Sequence, residues 1–134
     1  MRVEFAGVTL ADSTRALRVL ETSQPPGIYI PPADVAGEHM RASTERTFCE
    51  WKGSACYFDL EVGERRSAAA AWHYPEPVPR YAELAGHVAF YPARVDACWL
   101  EEERARTNPG DFYGGWVTSE IAGPFKGAPG TAHW

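Results

Sequence analysis

The two lysines are the first residues whose type and setting could do chemistry. The chain has 11 arginines but only Lys52 and Lys126, and both lysines stand between an aromatic residue and a glycine. Unlike arginine, lysine carries an amine that can act as a base, a nucleophile or an imine former. A lysine before a turn glycine is also an ordinary solvated corner, so the pattern leaves both interpretations open.

Phosphate chemistry is disfavoured by the order of the residues around these lysines. A P-loop needs glycine directly before lysine and a hydroxyl after it, whereas in the glycine-aromatic stretch 112–127 Lys126 precedes its glycine. Gly53-Ser54 followed by Asp59-x-Glu61 has the residue types of a two-metal nucleotidyltransferase. Too few residues separate Ser54 from Asp59 for the helical turn which that geometry requires.

Metal and thiol chemistry are also weakly indicated. The four histidines are scattered and the three cysteines contain no C-x-x-C pair, so we expect no metal site and no cofactor. A tight hairpin turning at Lys52-Gly53 would place Cys49 directly opposite Cys56, which leaves a redox pair as a hypothesis.

A cluster of aromatic and polar residues is the stronger candidate for a site. Aromatic walls with a few placed polar groups are typical of small-molecule pockets, although the same residues often pack a core. The members are Tyr29, Tyr57, Trp72, Tyr74, Tyr113 and Trp116, with Asp34, Ser43, Thr47, Lys52 and Lys126 as the polar groups.

Alternating apolar residues predict that strands position these side chains. We expect a hairpin at 3–10, a strand or capped helix at 15–21, one helical turn beginning at Pro32, a short helix at 79–85 ended by Gly86, and strands at 27–30, 87–91 and 94–100. Strands at 47–53, 54–62 and 64–74 would form an antiparallel meander around the Lys52-Gly53 turn.

Composition limits the class of protein. A chain of 134 residues with 45% hydrophobic and 23% charged residues is typical of one globular domain. The net charge of −5 disfavours nucleic acid and anionic membrane as partners, and no segment matches a signal peptide or a membrane span. We therefore expect a cytoplasmic protein, with residues 107–134 as a glycine-aromatic extension of a single domain 1–134.

Four ordered motifs stand out along the chain: Tyr29-Ile30-Pro31-Pro32-Ala33-Asp34-Val35, Thr47-x-Cys49-x-Trp51-Lys52-Gly53-x-Ala55-x-Tyr57, Ala71-Trp72-x-Tyr74-Pro75-Glu76-Pro77 and Ala85-Gly86-His87-Val88-Ala89-Phe90-Tyr91. Together they resemble the family called domain of unknown function 427. The resemblance runs over roughly residues 2–100 and implies a mainly β, compact fold of antiparallel meanders with one short helix, the β-tent fold of methionine sulfoxide reductase B. This chain lacks the zinc cysteines of that enzyme, so neither its metal nor its chemistry is implied. Some collections label the family nucleotidyltransferase-like, which the spacing above does not support.

The sequence therefore predicts a small-molecule-binding protein that could act on an anionic or carbonyl-containing metabolite. Lys52 would hold the ligand, Asp34 would pair with Lys52 or exchange protons, and Tyr57 would complete the catalytic group. The ligand-binding residues would be Tyr29, Ser43, Thr47, Trp72, Tyr74, Tyr113, Trp116 and Lys126. The alternatives are a protein-interaction module that uses an aromatic face or a β-edge, with a homodimer left open, and thiol redox chemistry.

Overall fold

The computed structural model describes residues 1–19, 27–49, 52–100, 103–105 and 116. Within them the chain forms short 3₁₀ turns at Pro32–Asp34, Gly37–His39, Pro79–Leu84 and Pro92–Arg94. The strands are β1 (Arg2–Phe5), β2 (Val8–Asp12), β3 (Leu17–Val19), β4 (Gly27–Tyr29), β5 (Met40–Cys49), β6 (Gly53–Val62), β7 (Arg65–His73), β8 (Val88–Phe90), β9 (Ala97–Leu100) and β10 (Glu103–Arg104).

Three antiparallel sheets confirm the prediction of a mainly β protein. One has the order β10-β9-β1-β2, the second pairs β3 with β4, and the third is the meander β5-β6-β7-β8. The predicted opening hairpin and the turn beginning at Pro32 are present. No helix in the described part of the chain has the length and apolar character needed to span a membrane.

Two predicted boundaries are corrected. Strand β5 begins at Met40 rather than at position 47, because a bulge between Ala42 and Arg46 interrupts its alternation. The helix predicted at 79–85 is a 3₁₀ segment broken at Tyr81, whose φ of −112° is not helical. Gly86 does end that segment, with a φ of +75°.

The predicted pairing of Cys49 with Cys56 is wrong. The register places Cys49 opposite Gly53 and Cys56 opposite Arg46. The connection between the strands spans three residues instead of two, since Gly53 already belongs to β6. The amide of Val78 donates to the carbonyl of Lys52 at 2.9 Å, so a segment distant in sequence holds this connection.

A second bulge in β7 lies across from Asp59 on β6, between Phe58 and Leu60. The Asp59 carboxylate accepts hydrogen bonds from the Ala69 amide at 2.8 Å and from Arg66 at 3.0 Å. These bonds hold the pKa of Asp59 below its usual value, and the bond from Ala69 has the largest effect. The bond from its amide also stabilises Ala69 at a φ of +48°, a conformation that a residue with a Cβ rarely adopts.

The meander separates two hydrophobic cores, because successive side chains of a strand point to opposite faces. Val88 and Phe90 belong to the larger core, with side chains from the β1-β2-β9-β10 sheet, whereas Ala89 between them belongs to the smaller one. Strand β4 is divided in the same way: Ile28 packs in the larger core and Tyr29 in the smaller. The smaller core contains most of the predicted aromatic site.

Candidate functional site

Five buried rings form what we call the aromatic cluster: Tyr29, Tyr57, Trp72, Tyr74 and Tyr91. Trp72 lies at its centre, edge-on to Tyr29 at 6.1 Å between ring centroids and 4.6 Å from the centroid of Tyr91. Its indole nitrogen donates to the Tyr29 hydroxyl at 3.4 Å. Each ring is less than 9% exposed, and such edge-on and offset contacts are the favoured geometries for aromatic pairs.

Strand register explains why these rings meet. Tyr57 and Trp72 are direct cross-strand partners on β6 and β7, and Ala89 on β8 is the next partner of Trp72. The small side chains of Ala55 and Ala89 pack in the same core and leave the space that the large rings fill. The sequence predicted four of the five rings, and Tyr91 is the addition.

Lys52 lies at the border of this cluster and is only 6% exposed, so its interpretation as a solvated corner is wrong. Its Nζ is 5.9 Å from the centroid of the Tyr81 ring, and Tyr81 packs against the cluster. Gly53 has a φ of +114°, and a Cβ there would approach the carbonyl oxygen of Glu76 to 3.3 Å. Residues 76–78 therefore lie close against the backbone at Lys52 and Gly53.

Arg94 flanks the cluster as a second cation, and the sequence analysis missed it. Its guanidinium carbon lies 4.2 Å from the centroid of Tyr91, and it donates to the Ala69 carbonyl at 2.8 Å. The signal was present in the spacing: Tyr91 and Arg94 are three residues apart around a 3₁₀ turn, which brings such side chains to one side. Tyr81 was missed as well, because a broken helix has no clear period.

The two hydroxyl residues predicted for the site, Thr47 and Ser43, lie in different places. Thr47 Oγ1 is 2.9 Å from the Tyr57 hydroxyl, and because Thr47 is exposed this contact marks where the cluster reaches the surface. Ser43 lies instead in the β5 bulge, where its hydroxyl accepts from the Glu45 amide at 3.1 Å and hydrogen bonds with Asp59.

Asp34 lies with the N-terminal hairpin. Its carboxylate accepts from the Ser13 hydroxyl at 2.6 Å and from Arg15 at 2.9 Å. These bonds, the one from Ser13 above all, lower the pKa of Asp34, so it is charged at neutral pH. Its ion-pair partner is thus Arg15, whereas the sequence analysis expected Lys52.

Of the three residues predicted for the site in the C-terminal stretch, Trp116 is the one that the structure describes, and it lies outside the aromatic cluster. Trp116 packs in the larger core, where its indole nitrogen donates to the Phe90 carbonyl at 3.2 Å. Tyr113 and Lys126 lie outside the described residues.

The carboxylates considered for metal binding are paired with arginines. Asp59 bonds Arg66 at 3.0 Å, and Glu61 lies 3.7 Å from Arg41. Among the residues that the structure describes, no group of three or more histidine, cysteine or acidic side chains could hold a metal ion.

Comparison with known proteins places the chain in a family. No curated protein sequence matches it. A family model described as Domain of unknown function (DUF427) matches residues 1–101, which is most of the chain and includes every residue of the aromatic cluster. The chain therefore belongs to the DUF427 family.

Proposed function

We propose that the chain binds a small molecule that carries an anionic or carbonyl group, with Lys52 as the residue that recognises it. The observation that supports this proposal is the burial of Lys52 beside Tyr81 and the aromatic cluster. Lysine is among the residues least often buried, because its ammonium group is strongly hydrated, and a position that keeps one enclosed is a functional candidate.

In this proposal the aromatic cluster contacts a planar or apolar ligand body through Tyr57, Trp72 and Tyr91, which move apart to admit it. Arg94 adds a second positive charge beside the Tyr91 ring. A ligand would enter beside Thr47, where the Tyr57 hydroxyl approaches the surface. Asp34 has a structural role in this proposal. Its hydrogen bond with Ser13 joins the turn after Tyr29 to the N-terminal hairpin.

The first experiment screens anionic and carbonyl metabolites by thermal shift, then compares Lys52→Met with Lys52→Arg. An anion held by a buried cation should bind about tenfold or more weakly to Lys52→Met, and Lys52→Arg should retain much of the affinity. Unchanged binding by the Met variant would show that Lys52 does not recognise the ligand.

Glyoxylate with borohydride tests the carbonyl form of the same proposal. Condensation of the Lys52 amine with the aldehyde releases water, and reduction of the imine fixes the adduct on the peptide. Lys126 is the internal control, because it is the other lysine of the chain and lies on a different tryptic peptide. Preferential modification at Lys52 supports imine chemistry, whereas equal modification of both lysines opposes it.

A non-catalytic interaction module is the second candidate, and Phe48 favours it. Phe48 is 73% exposed near the end of β5, and an exposed aromatic at a sheet edge is typical of an interaction site. Phe48→Ser should then weaken a homodimer or another protein complex while ligand binding at Lys52 is kept. Unchanged sedimentation of the variant, compared with the parent across a concentration series, would contradict the homodimer.

A cytoplasmic location belongs to the same proposal, since Cys56 and Cys98 are free thiols.

A further inference from the structure

A row of three chemically active side chains crosses the meander on the face opposite the aromatic cluster. Cys56 on β6 pairs with Arg46 on one side and with His73 on the other. Its sequence neighbours Ala55 and Tyr57 point into the smaller core, so alternation directs Cys56 to the other face. Trp72 and Tyr74 place His73 on that face by the same argument.

The imidazole of His73 is held in place but one of its nitrogens is unused. The ring stacks on Phe58 with centroids 4.7 Å apart and planes 18° from parallel. Its Nδ1 is buried and makes no hydrogen bond within the described structure. A buried polar atom without a partner is uncommon and is often found where a group acts in chemistry.

Arg46 brings positive charge to the opposite side of the thiol. Its guanidinium is anchored to the bulge of β5 by hydrogen bonds to the carbonyls of Ser43 at 2.8 Å and Glu45 at 2.6 Å. Burial lowers the pKa of His73, and the charge of Arg46 lowers it further. A hydrogen bond with the backbone of Cys56 partly opposes these two effects. The imidazole is therefore neutral at pH 7 and can accept a proton.

We propose that Cys56 is a thiol–disulfide exchange site for small anionic disulfides, with His73 as the proton acceptor and Arg46 as the carboxylate-binding residue. The Cys56 thiol gives its proton to the imidazole, and the thiolate attacks one sulfur of the disulfide. One S–S bond forms on Cys56, the original S–S bond breaks, and the released thiolate takes the proton from His73. Electrons balance, because the incoming disulfide is the oxidant.

Cys98 supplies an internal reference for this chemistry. It is 1% exposed, and burial raises the pKa of its thiol to about 12, which makes it a poor nucleophile at neutral pH. Cys56 is half-buried and therefore more exposed than Cys98. Trypsin cleavage after Arg46, Lys52, Arg65 and Arg94 leaves each of the three cysteines on its own peptide.

The test incubates the folded protein at low concentration with oxidised glutathione, and in parallel with cystamine, a disulfide of opposite charge. Mass spectrometry follows each cysteine peptide over time. We expect mixed disulfide at Cys56 about tenfold or more faster than at Cys98, and faster than in an unfolded peptide of residues 53–65. We also expect oxidised glutathione to react faster than cystamine.

Two variants separate this proposal from simple exposure of the thiol. His73→Gln should slow the reaction with both disulfides, whereas Arg46→Gln should reduce the preference for oxidised glutathione over cystamine. Cys98 reports folding, because an unfolded variant would expose it to both reagents. The proposal is overturned if Cys56 reacts no faster than the unfolded peptide, or if neither variant changes its rates while Cys98 stays protected.

Discussion

At the scale of single residues, Gly53 allows the backbone beside Lys52 to lie close to residues 76–78. Its φ of +114° is a conformation that side chains rarely adopt, and a Cβ would lie 3.3 Å from the Glu76 carbonyl oxygen and 3.6 Å from the Pro77 Cα. Both neighbours are backbone and cannot move freely. We therefore expect Gly53→Ala to lower the free energy of unfolding by about 1–3 kcal/mol, measured by urea denaturation.

Gly37 provides the matched control for that substitution. A Cβ at Gly37 meets no atom within 4 Å, and its backbone does not have a positive φ. Gly37→Ala should change stability by no more than about 0.5 kcal/mol. Equal losses at the two glycines would show that the close contact at Gly53 does not stabilise the turn.

At the scale of elements, β5 is one of the two outer strands of the meander as far as the structure describes it. Edge strands invite pairing with another chain, and bulges and charged side chains discourage it. At the β5 bulge, Arg46 donates hydrogen bonds to the carbonyls of Ser43 and Glu45, so these carbonyls are less available to another strand. Arg46→Ala should therefore increase self-association, which analytical ultracentrifugation detects as a shift to larger species.

Glu45→Ala is the control on the same edge, because it removes a charge without releasing a carbonyl from Arg46. An equal shift in both variants would indicate an effect of charge alone, and no shift in either would show that the bulge itself protects the edge.

At the scale of the whole molecule, one histidine and three aspartates make the free energy of unfolding depend on pH in two separate pH ranges. Burial lowers the pKa of His73, so below about pH 6.5 the unfolded chain binds a proton that the folded chain does not, and stability falls as the pH decreases. Hydrogen bonds, from Ser13, the Ala69 amide and Arg65 respectively, lower the pKa of Asp34, Asp59 and Asp96. Their contribution is present above about pH 4 and is lost as the pH falls through the folded values.

Urea denaturation between pH 8 and pH 3 separates the two parts. His73→Phe, which keeps a ring against Phe58, should flatten the decline below about pH 6.5 and leave the decline below about pH 4 unchanged. His87→Gln serves as the control. A parent-like decline in the His73 variant would assign the upper part of the curve to another group.

The sequence by itself determined the family and most of the strands, but not the start of β5 or the broken 3₁₀ segment at Pro79–Leu84. Alternating apolar residues along β6 and β7 predicted the meander, because side-chain direction in a strand depends on adjacent residues. The residue types of Tyr57 and Trp72 predicted that both belong to one aromatic cluster. Proline fixed the turn at Pro32–Asp34 for a similarly local reason.

Only the tertiary structure decided what surrounds each candidate. The carbonyl of the buried Lys52 accepts a hydrogen bond from the amide of Val78, which lies more than twenty residues away in sequence. The pairing of Asp34 with Ser13 and Arg15, and of Cys56 with His73, likewise joins separate segments. Local patterns determine which face a side chain occupies, but the partner on that face is supplied by a distant segment and is fixed only when the sheets pack.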